Sequence, residues 1–198
     1  NGGGATASST GGTMPYTYLW SNAATSASIT GVSAGTYSVT IADNNSCTDS
    51  ASITITAGPS VNIGIDSNVT CNGLANGGAT ASAIGGTTPY TYLWSNGSTT
   101  ASITGVAAGT YSVTITDNNA STDTASVTIE EPAVLVAASV VDSNVSCNGL
   151  VDGGATASAT GGTMSYNYVW SNAATTASIT GVSAGTYSVT ITDNNGCY

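Results

Sequence analysis

The sequence predicts an all-β protein built from tandem copies of one small β-sandwich. Three observations predict this class: a long internal repeat, apolar residues that alternate with polar ones, and turn-forming residues at short intervals. The repeat shows in a tryptophan, a tyrosine and an aspartate that each recur at intervals of 74 and 76 residues: Trp20, Trp94 and Trp170; Tyr37, Tyr111 and Tyr187; Asp43, Asp117 and Asp193. Several aligned positions at such a period indicate tandem domains of about 75 residues and not one large fold.

Proline marks the joints between the repeats. Pro59 opens the complete copy, and Glu130-Glu131-Pro132 closes it. Proline breaks strand pairing and holds the preceding residue extended. The predicted domains are therefore a first repeat at 1–58, a second at 59–131 and a third at 132–198, with the first expected to be truncated at its N-terminus and the third at its C-terminus.

Alternating apolar residues divide the second repeat into about six or seven short strands, as in Val113-Thr-Ile115 and Val127-Thr-Ile129. Gly85-Gly86, Asn96-Gly97 and Asn118-Asn119 are typical turn sequences between them. The predicted strands lie near residues 61–65, 78–84, 90–94, 99–104, 110–117 and 123–129. Strands of this number and length predict a β-sandwich.

Aromatic residues supply the predicted core. Tyr90, Tyr92 and Trp94 lie on one face of a strand, since successive side chains alternate. Tyr111 follows Gly109-Thr110 and resembles the tyrosine corner of immunoglobulin-like sandwiches, in which the phenol bonds a nearby backbone group. A domain this small has few other large residues to bury. The predicted scaffold is therefore Trp20, Trp94, Trp170, Tyr37, Tyr111 and Tyr187.

These motifs together resemble a known repeat family. The residues that carry the resemblance are Cys71-Asn-Gly, Gly85-Gly86-Thr-Thr-Pro89-Tyr90-Thr-Tyr92-Leu-Trp94, Ala108-Gly109-Thr-Tyr111-Ser-Val-Thr-Ile-Thr-Asp117 and Glu131-Pro132. They are similar to the SprB-type repeat of Bacteroidota surface adhesins, and the similarity covers all three copies. It implies an immunoglobulin-like (PKD-like) fold, type IX secretion to the cell surface and membership of a long adhesin, in some cases one used for gliding.

Composition excludes several classes of partner. The chain has no Lys, Arg or His against 10 acidic residues, and its net charge is -10. Cationic contacts to phosphate, nucleic acid or anionic lipid are therefore absent, and no run of 18 apolar residues could span a membrane. We expect a surface polysaccharide or another cell-surface ligand as partner, or self-association into a filament. The alternatives are a passive stalk that presents a distal binding domain, and a carbohydrate-binding module with exposed Tyr16, Tyr90 and Tyr166.

The four cysteines leave two pairings open. A bond within one repeat would join Cys147 to Cys197, and a bond across a joint would join Cys47 to Cys71. Ser121 stands where the family pattern has a cysteine. Loop-closure entropy hardly separates the two pairings, at about 4 against 3.5 kcal/mol. If four strands separate the two positions, both lie at the same end of one sandwich, which favours Cys147–Cys197. A seventh strand in the repeat would instead put the two loops at opposite ends and weaken this preference.

Several aspartates and hydroxyl residues could form a calcium site or an O-glycosylation site, or could belong to ordinary turns and strands. Asp66, Asp117 and Asp142 offer oxygen ligands of the kind Ca²⁺ accepts, but Asp and Asn also favour turns, so no cofactor is expected and calcium is the one alternative. Ser50 and Thr124 follow aspartate in sequences that resemble the acceptor for protein O-glycosylation in Bacteroidota. We expect no enzyme, because the chain lacks a nitrogen base and a cationic oxyanion clamp.

Overall fold

A computed structural model describes residues 2–198, and the only regular secondary structure in that range is β-strand. The 16 strands are β1 Gly3–Thr6, β2 Thr17–Trp20, β3 Ser28–Val32, β4 Gly35–Ala42, β5 Thr48–Ile55, β6 Pro59–Ser67, β7 Gly77–Gly85, β8 Thr91–Trp94, β9 Ser102–Val106, β10 Gly109–Thr116, β11 Thr122–Ile129, β12 Val136–Ser143, β13 Gly153–Thr160, β14 Asn167–Trp170, β15 Ser178–Val182 and β16 Val189–Thr192. This confirms the all-β class. The described residues include no helix that could cross a membrane.

The strands of the second repeat form two three-stranded sheets. Their orders are β6-β7-β9 and β11-β10-β8. With the letter D left out, strands β6 to β11 correspond to A, B, C, E, F and G, and the two sheets are the A-B-E and C-F-G sheets of an immunoglobulin-like sandwich. The third repeat keeps the orders β12-β13-β15 and β14-β16, and the first keeps β1-β3 and β2-β4-β5. The predicted tandem immunoglobulin-like architecture is confirmed.

The chain divides into two compact units, and their borders differ from the predicted joints. One unit comprises residues 1–62, 83–92 and 114–124, and the other comprises residues 63–82, 93–113 and 125–198. The second repeat contributes to both units. The boundaries at 58/59 and 131/132 therefore remain predictions, although β6 begins at Pro59 and β11 ends at Ile129, close to them.

One strand of the second repeat lies later than the sequence predicts. The strand expected at 99–104 is observed at Ser102–Val106. The chain turns tightly after β8, where the Trp94 backbone N–H donates to the Ser98 carbonyl at 2.8 Å. The Trp94 indole N–H donates to the Thr100 carbonyl at 2.9 Å, so the residues before Ser102 belong to the turn. Sequence periodicity alone does not show such a turn, because its Ser and Thr residues also suit a strand.

The short strands β14 and β15 together run once along the length of the sandwich, which we call one pass. β15 pairs only with Gly153–Thr156, the first half of β13. β14 lies in the other sheet, where it pairs with Val189–Thr192. The turn between them contains a hydrogen bond from the Trp170 N–H to the Ala174 carbonyl at 2.9 Å. Three passes, and not four, therefore separate the loop after β12 from the turn after β16.

Each repeat has its tryptophan at the centre of the core. Trp20, Trp94 and Trp170 are 4%, 1% and 3% exposed. In the first repeat the indole packs in a cluster with Ile29 and Val39. In the third, it packs with Ala157, Ile179 and Ile191. Each indole N–H donates to a backbone carbonyl at 2.9 Å, which satisfies its one polar group.

The tyrosines at the predicted corner position are half-buried and bond backward along the chain. The phenols of Tyr37, Tyr111 and Tyr187 donate to carbonyls four residues earlier, at 3.0, 3.0 and 3.2 Å. The acceptors are Ser33, Ala107 and Ser183. This bond fixes the loop that precedes each of these residues, as a tyrosine corner does.

Candidate functional site at the joint between repeats

An aspartate organises the same turn in every repeat. We call residues 43–47, 117–121 and 193–197 the carboxylate turns. In the third, Asp193 Oδ1 accepts the N–H groups of Asn195 and Cys197, both at 2.9 Å. Its Oδ2 accepts the Thr163 N–H at 2.8 Å. Asp43 and Asp117 make the equivalent three contacts. Each carboxylate thus joins its own turn to the loop that follows the second strand of the sandwich.

These backbone contacts hold the carboxylates in their charged form. The Thr13 N–H is the largest cause that lowers the pKa of Asp43 below its ordinary value of 3.8. The Thr163 N–H does the same for the pKa of Asp193. Burial raises the pKa of Asp117, but the N–H groups of Ser121, Thr87 and Asn119 outweigh it, so that the net shift is downward. The three aspartates are therefore structural anions at neutral pH.

The carboxylate turn of the third repeat touches a loop of the second. We call residues 70–74 and 146–150 the cysteine loops. The Asn195 side-chain amide donates to the Thr70 carbonyl at 2.9 Å. The linker meets the same loop, because the Gly73 N–H donates to a Glu131 carboxylate oxygen at 2.7 Å. The Asn72 amide also donates to the Pro132 carbonyl at 3.0 Å. Successive repeats are thus joined by polar contacts as well as by the chain itself.

A disulfide crosses this joint. Cys71 of the second repeat is bonded to Cys197 of the third, and Cys47 and Cys147 are free and exposed. The predicted bond between Cys147 and Cys197 is therefore wrong, and the alternative Cys47–Cys71 pair is not formed either. The bonded pair combines a cysteine loop with the carboxylate turn of the next repeat.

The number of strand passes explains this correction. Cys147 lies before β13, whose first residue is Gly153. Cys197 belongs to a turn that is hydrogen-bonded to Thr163, just after β13 ends at Thr160. The two cysteines of one repeat are thus separated by the length of that strand, roughly 27 Å at about 3.4 Å per residue. A disulfide needs Cα atoms within about 7 Å, and in the bonded pair they are 5.7 Å apart.

The carboxylate turn of the second repeat carries a serine instead of a cysteine. Ser121 faces the linker between the first two repeats, since a Cβ on Gly58 would lie 3.2 Å from the Ser121 Cβ. The sequence position of Ser121 therefore corresponds to a joint-facing position in the structure. The short lengths of β8 and β9 are the signal that could have revealed the position of Ser121 at the joint. Two short strands that follow one another can together cross the sandwich only once.

The three calcium candidates do not come together. Both oxygens of Asp117 are occupied by backbone N–H groups. Asp66 and Asp142 each accept a threonine hydroxyl at 2.7 Å, from Thr80 and Thr156. Among residues 2–198, no three His, Cys, Asp or Glu side chains are grouped so that they could hold a metal ion.

The remaining candidate residues are exposed or half-buried. Ser50 is exposed on β5, and Thr124 is exposed on β11, with its hydroxyl 3.0 Å from that of Thr114. Tyr16, Tyr90 and Tyr166 are half-buried, and their phenols donate to carbonyls of the Gly-Gly turns at 2.5, 2.6 and 2.6 Å. These tyrosines therefore fix the turns that meet the carboxylates.

Comparisons with known proteins found one family model and a similar solved structure. The SprB repeat model matches residues 1–25, 65–99 and 139–175. The amphioxus IgVJ-C2 molecule is similar in structure, with 18% sequence identity and a TM-score of 0.30 over 65% of this chain and 95% of that one. No curated protein matches the chain. The three matched segments end at the same position of each tandem copy, so each copy is similar to the SprB repeat over that part of its length.

Proposed function

We propose that this chain is the repeat region of a long secreted cell-surface adhesin, in which immunoglobulin-like domains form a filament. The observation that carries the proposal is the joint, where the disulfide Cys71–Cys197 and the Asn195–Thr70 hydrogen bond both connect successive repeats. A catalytic or small-ligand domain has no need of such a connection. A filament that transmits force from a distal contact to the cell does need it.

The joint leaves the linker little freedom. Glu131 and Pro132 are hydrogen-bonded to the cysteine loop of the second repeat, so the linker is not a flexible Gly/Ser chain. The long strands of the second repeat have 8 or 9 residues. At about 3.4 Å per residue, and with their loops, they would advance the filament by roughly 35–45 Å per repeat. We expect neighbouring repeats to keep a preferred angle, as short and well-contacted linkers do.

The chemistry of the surface supports a structural and adhesive role and not catalysis. With no Lys, Arg or His, the chain has neither a nitrogen base nor a cation to stabilise an oxyanion. Its negative surface would repel nucleic acid and anionic lipid but would remain compatible with neutral sugars. A surface polysaccharide is therefore the ligand class we propose, with type IX secretion and gliding as the cellular context.

Imaging and cell assays together test the proposal. Electron images of the parent protein on cells should show filaments with a regular axial spacing of roughly 35–45 Å. A strain that lacks the repeats, compared with one in which the same number of repeats is restored, should lose attachment to surfaces. Compact globules in the images would contradict the filament, and normal attachment of the deletion strain would contradict the adhesive role.

A further inference from the structure

The disulfide between Cys71 and Cys197 closes a very long covalent loop. The two cysteines are 126 positions apart in the sequence. Residues 72–196 lie inside the loop, and they contain every strand from β7 to β16. Strands β1 to β6 precede it. The chain therefore has two covalent routes between Cys71 and Cys197, one through the sulfur atoms and one through residues 72–196.

The two routes differ greatly in length. The disulfide spans 5.7 Å between the Cα atoms. The other route, fully extended, would span roughly 410–450 Å at about 3.3–3.6 Å per residue. When a chain with such a loop is stretched, the short route becomes taut while the long one is still slack. Force applied on the two sides of the bonded pair therefore passes from Cys71 directly to Cys197.

The hydrogen bonds beside the disulfide cannot replace it under tension. The Asn195 amide donates to the Thr70 carbonyl at 2.9 Å, and the Cys197 N–H donates to Asp193 Oδ1 at 2.9 Å. These contacts orient the chain around the bonded pair. Each is a weak, reversible interaction that water can replace. The disulfide is thus the bond that keeps Cys71 and Cys197 together when the chain is pulled.

We propose that this disulfide is a mechanical bypass, which carries tension past strands β7 to β16 and keeps residues 72–196 as a reserve of chain that is released only when the bond breaks. The buried Trp94 and Trp170 lie inside the reserve, whereas Trp20 lies outside it. Tension should therefore unfold the first repeat and leave the third folded. The use of the bypass in a cell rests on the proposed function, since only a filament under load has tension to divert, but the bypass itself rests on the disulfide alone.

Pulling on single molecules tests the bypass. The purified chain, with the disulfide intact, is held at its two ends and stretched in an optical trap. Dithiothreitol is then added, whose two thiols reduce the disulfide to two cysteine thiols and form a disulfide between themselves. We expect the fully stretched length to increase by roughly 410–450 Å. A Cys147–Cys197 bond would instead release roughly 170 Å, and a Cys47–Cys71 bond roughly 80 Å.

Two double variants provide the matched comparison. Cys71→Ser with Cys197→Ser should reach the full length without dithiothreitol. Cys47→Ser with Cys147→Ser should keep the short length and the same response to dithiothreitol as the unaltered chain. The fully stretched length does not depend on folding, so a variant that folds poorly still gives an answer.

An unchanged length after reduction, or an increase near one of the two smaller values, would overturn the bypass. Neither result would bear on the attachment of cells that carry the repeats, which tests the adhesive role separately. A bypass without attachment would leave the mechanical inference intact and contradict only the proposed function.

Discussion

The second and third repeats share most of their sequence but bury it differently. Ile129 on β11 is 1% exposed in the second repeat, where it packs over Gly77, whose missing side chain leaves the space that Ile129 fills. Residues 132–198 have no counterpart of β11. Val69 is buried, whereas its counterpart Val145 is half-buried.

The difference shows which parts of the sandwich close on their own. Trp94 and Trp170 are both buried, so the centre of the core does not require the last strand. Burial of the first strand does require the last strand. β12 is exposed along its whole length, whereas β6, in the repeat that contains β11, has a buried Pro59 and a half-buried Val61. The first strand is therefore more buried in the repeat that contains β11 than in the repeat that lacks it.

The largest expected effect tests whether the two core centres are equivalent. Trp94→Ala and Trp170→Ala should each lower the free energy of unfolding by about 3–5 kcal/mol, because each removes a buried indole. Chemical denaturation followed by circular dichroism measures this. Leu93→Ala is the control, since Leu93 is 58% exposed. A much smaller loss for Trp170→Ala would show that the core of the third repeat is not closed.

A second test separates the bonded cysteine loop from the free one. Cys71→Ser should destabilise the chain by about 2–4 kcal/mol, because the disulfide constrains a long loop in the unfolded state. Cys147→Ser should change stability by less than about 0.5 kcal/mol, since that thiol is exposed and unbonded. Thermal unfolding without reducing agent compares the two. Equal effects would contradict the observed pairing.

Acid should weaken both repeats through their carboxylate turns. The folded pKa values of Asp117 and Asp193 lie below the ordinary 3.8, so these groups contribute stability above that pH and lose it as the pH falls through the folded values. Melting temperatures should therefore decline below about pH 4. Asp117→Ala should reduce the decline. Asp49→Ala is the control, because the Asp49 carboxylate accepts the N–H of the adjacent Ser50 and joins no second loop among residues 2–198.

The smallest effect on the fold is expected at the modification sites. A protease that cuts before aspartate releases Ser50 and Thr124 in the peptides 49–65 and 123–141. Glycans on the two residues would raise the masses of these peptides but would hardly change the stability of the fold, because both residues are exposed. Mass spectrometry of protein exported by its native host measures this. Unmodified masses for both peptides would contradict the glycosylation hypothesis.

Much of the fold could be predicted from local sequence patterns. Alternating residues predicted five of the six strands of the second repeat at nearly their observed positions, because burial of one face imposes a period of two. The predicted position of β9 was wrong, since the turn after Trp94 depends on hydrogen bonds that the alternation of apolar residues does not reveal. The joint contacts of Thr70 and Asn195 were not predicted, because they join residues far apart in sequence.

The sequence by itself determined the repeat, the strand alternation and the tryptophan at each core centre, since these follow from periodicity and from the need to bury large apolar side chains. Only the tertiary structure decided which cysteines meet. β14 and β15 share one pass across the sandwich. Cys147 and Cys197 consequently lie at opposite ends of their own repeat, and Cys197 reaches Cys71 of the preceding one.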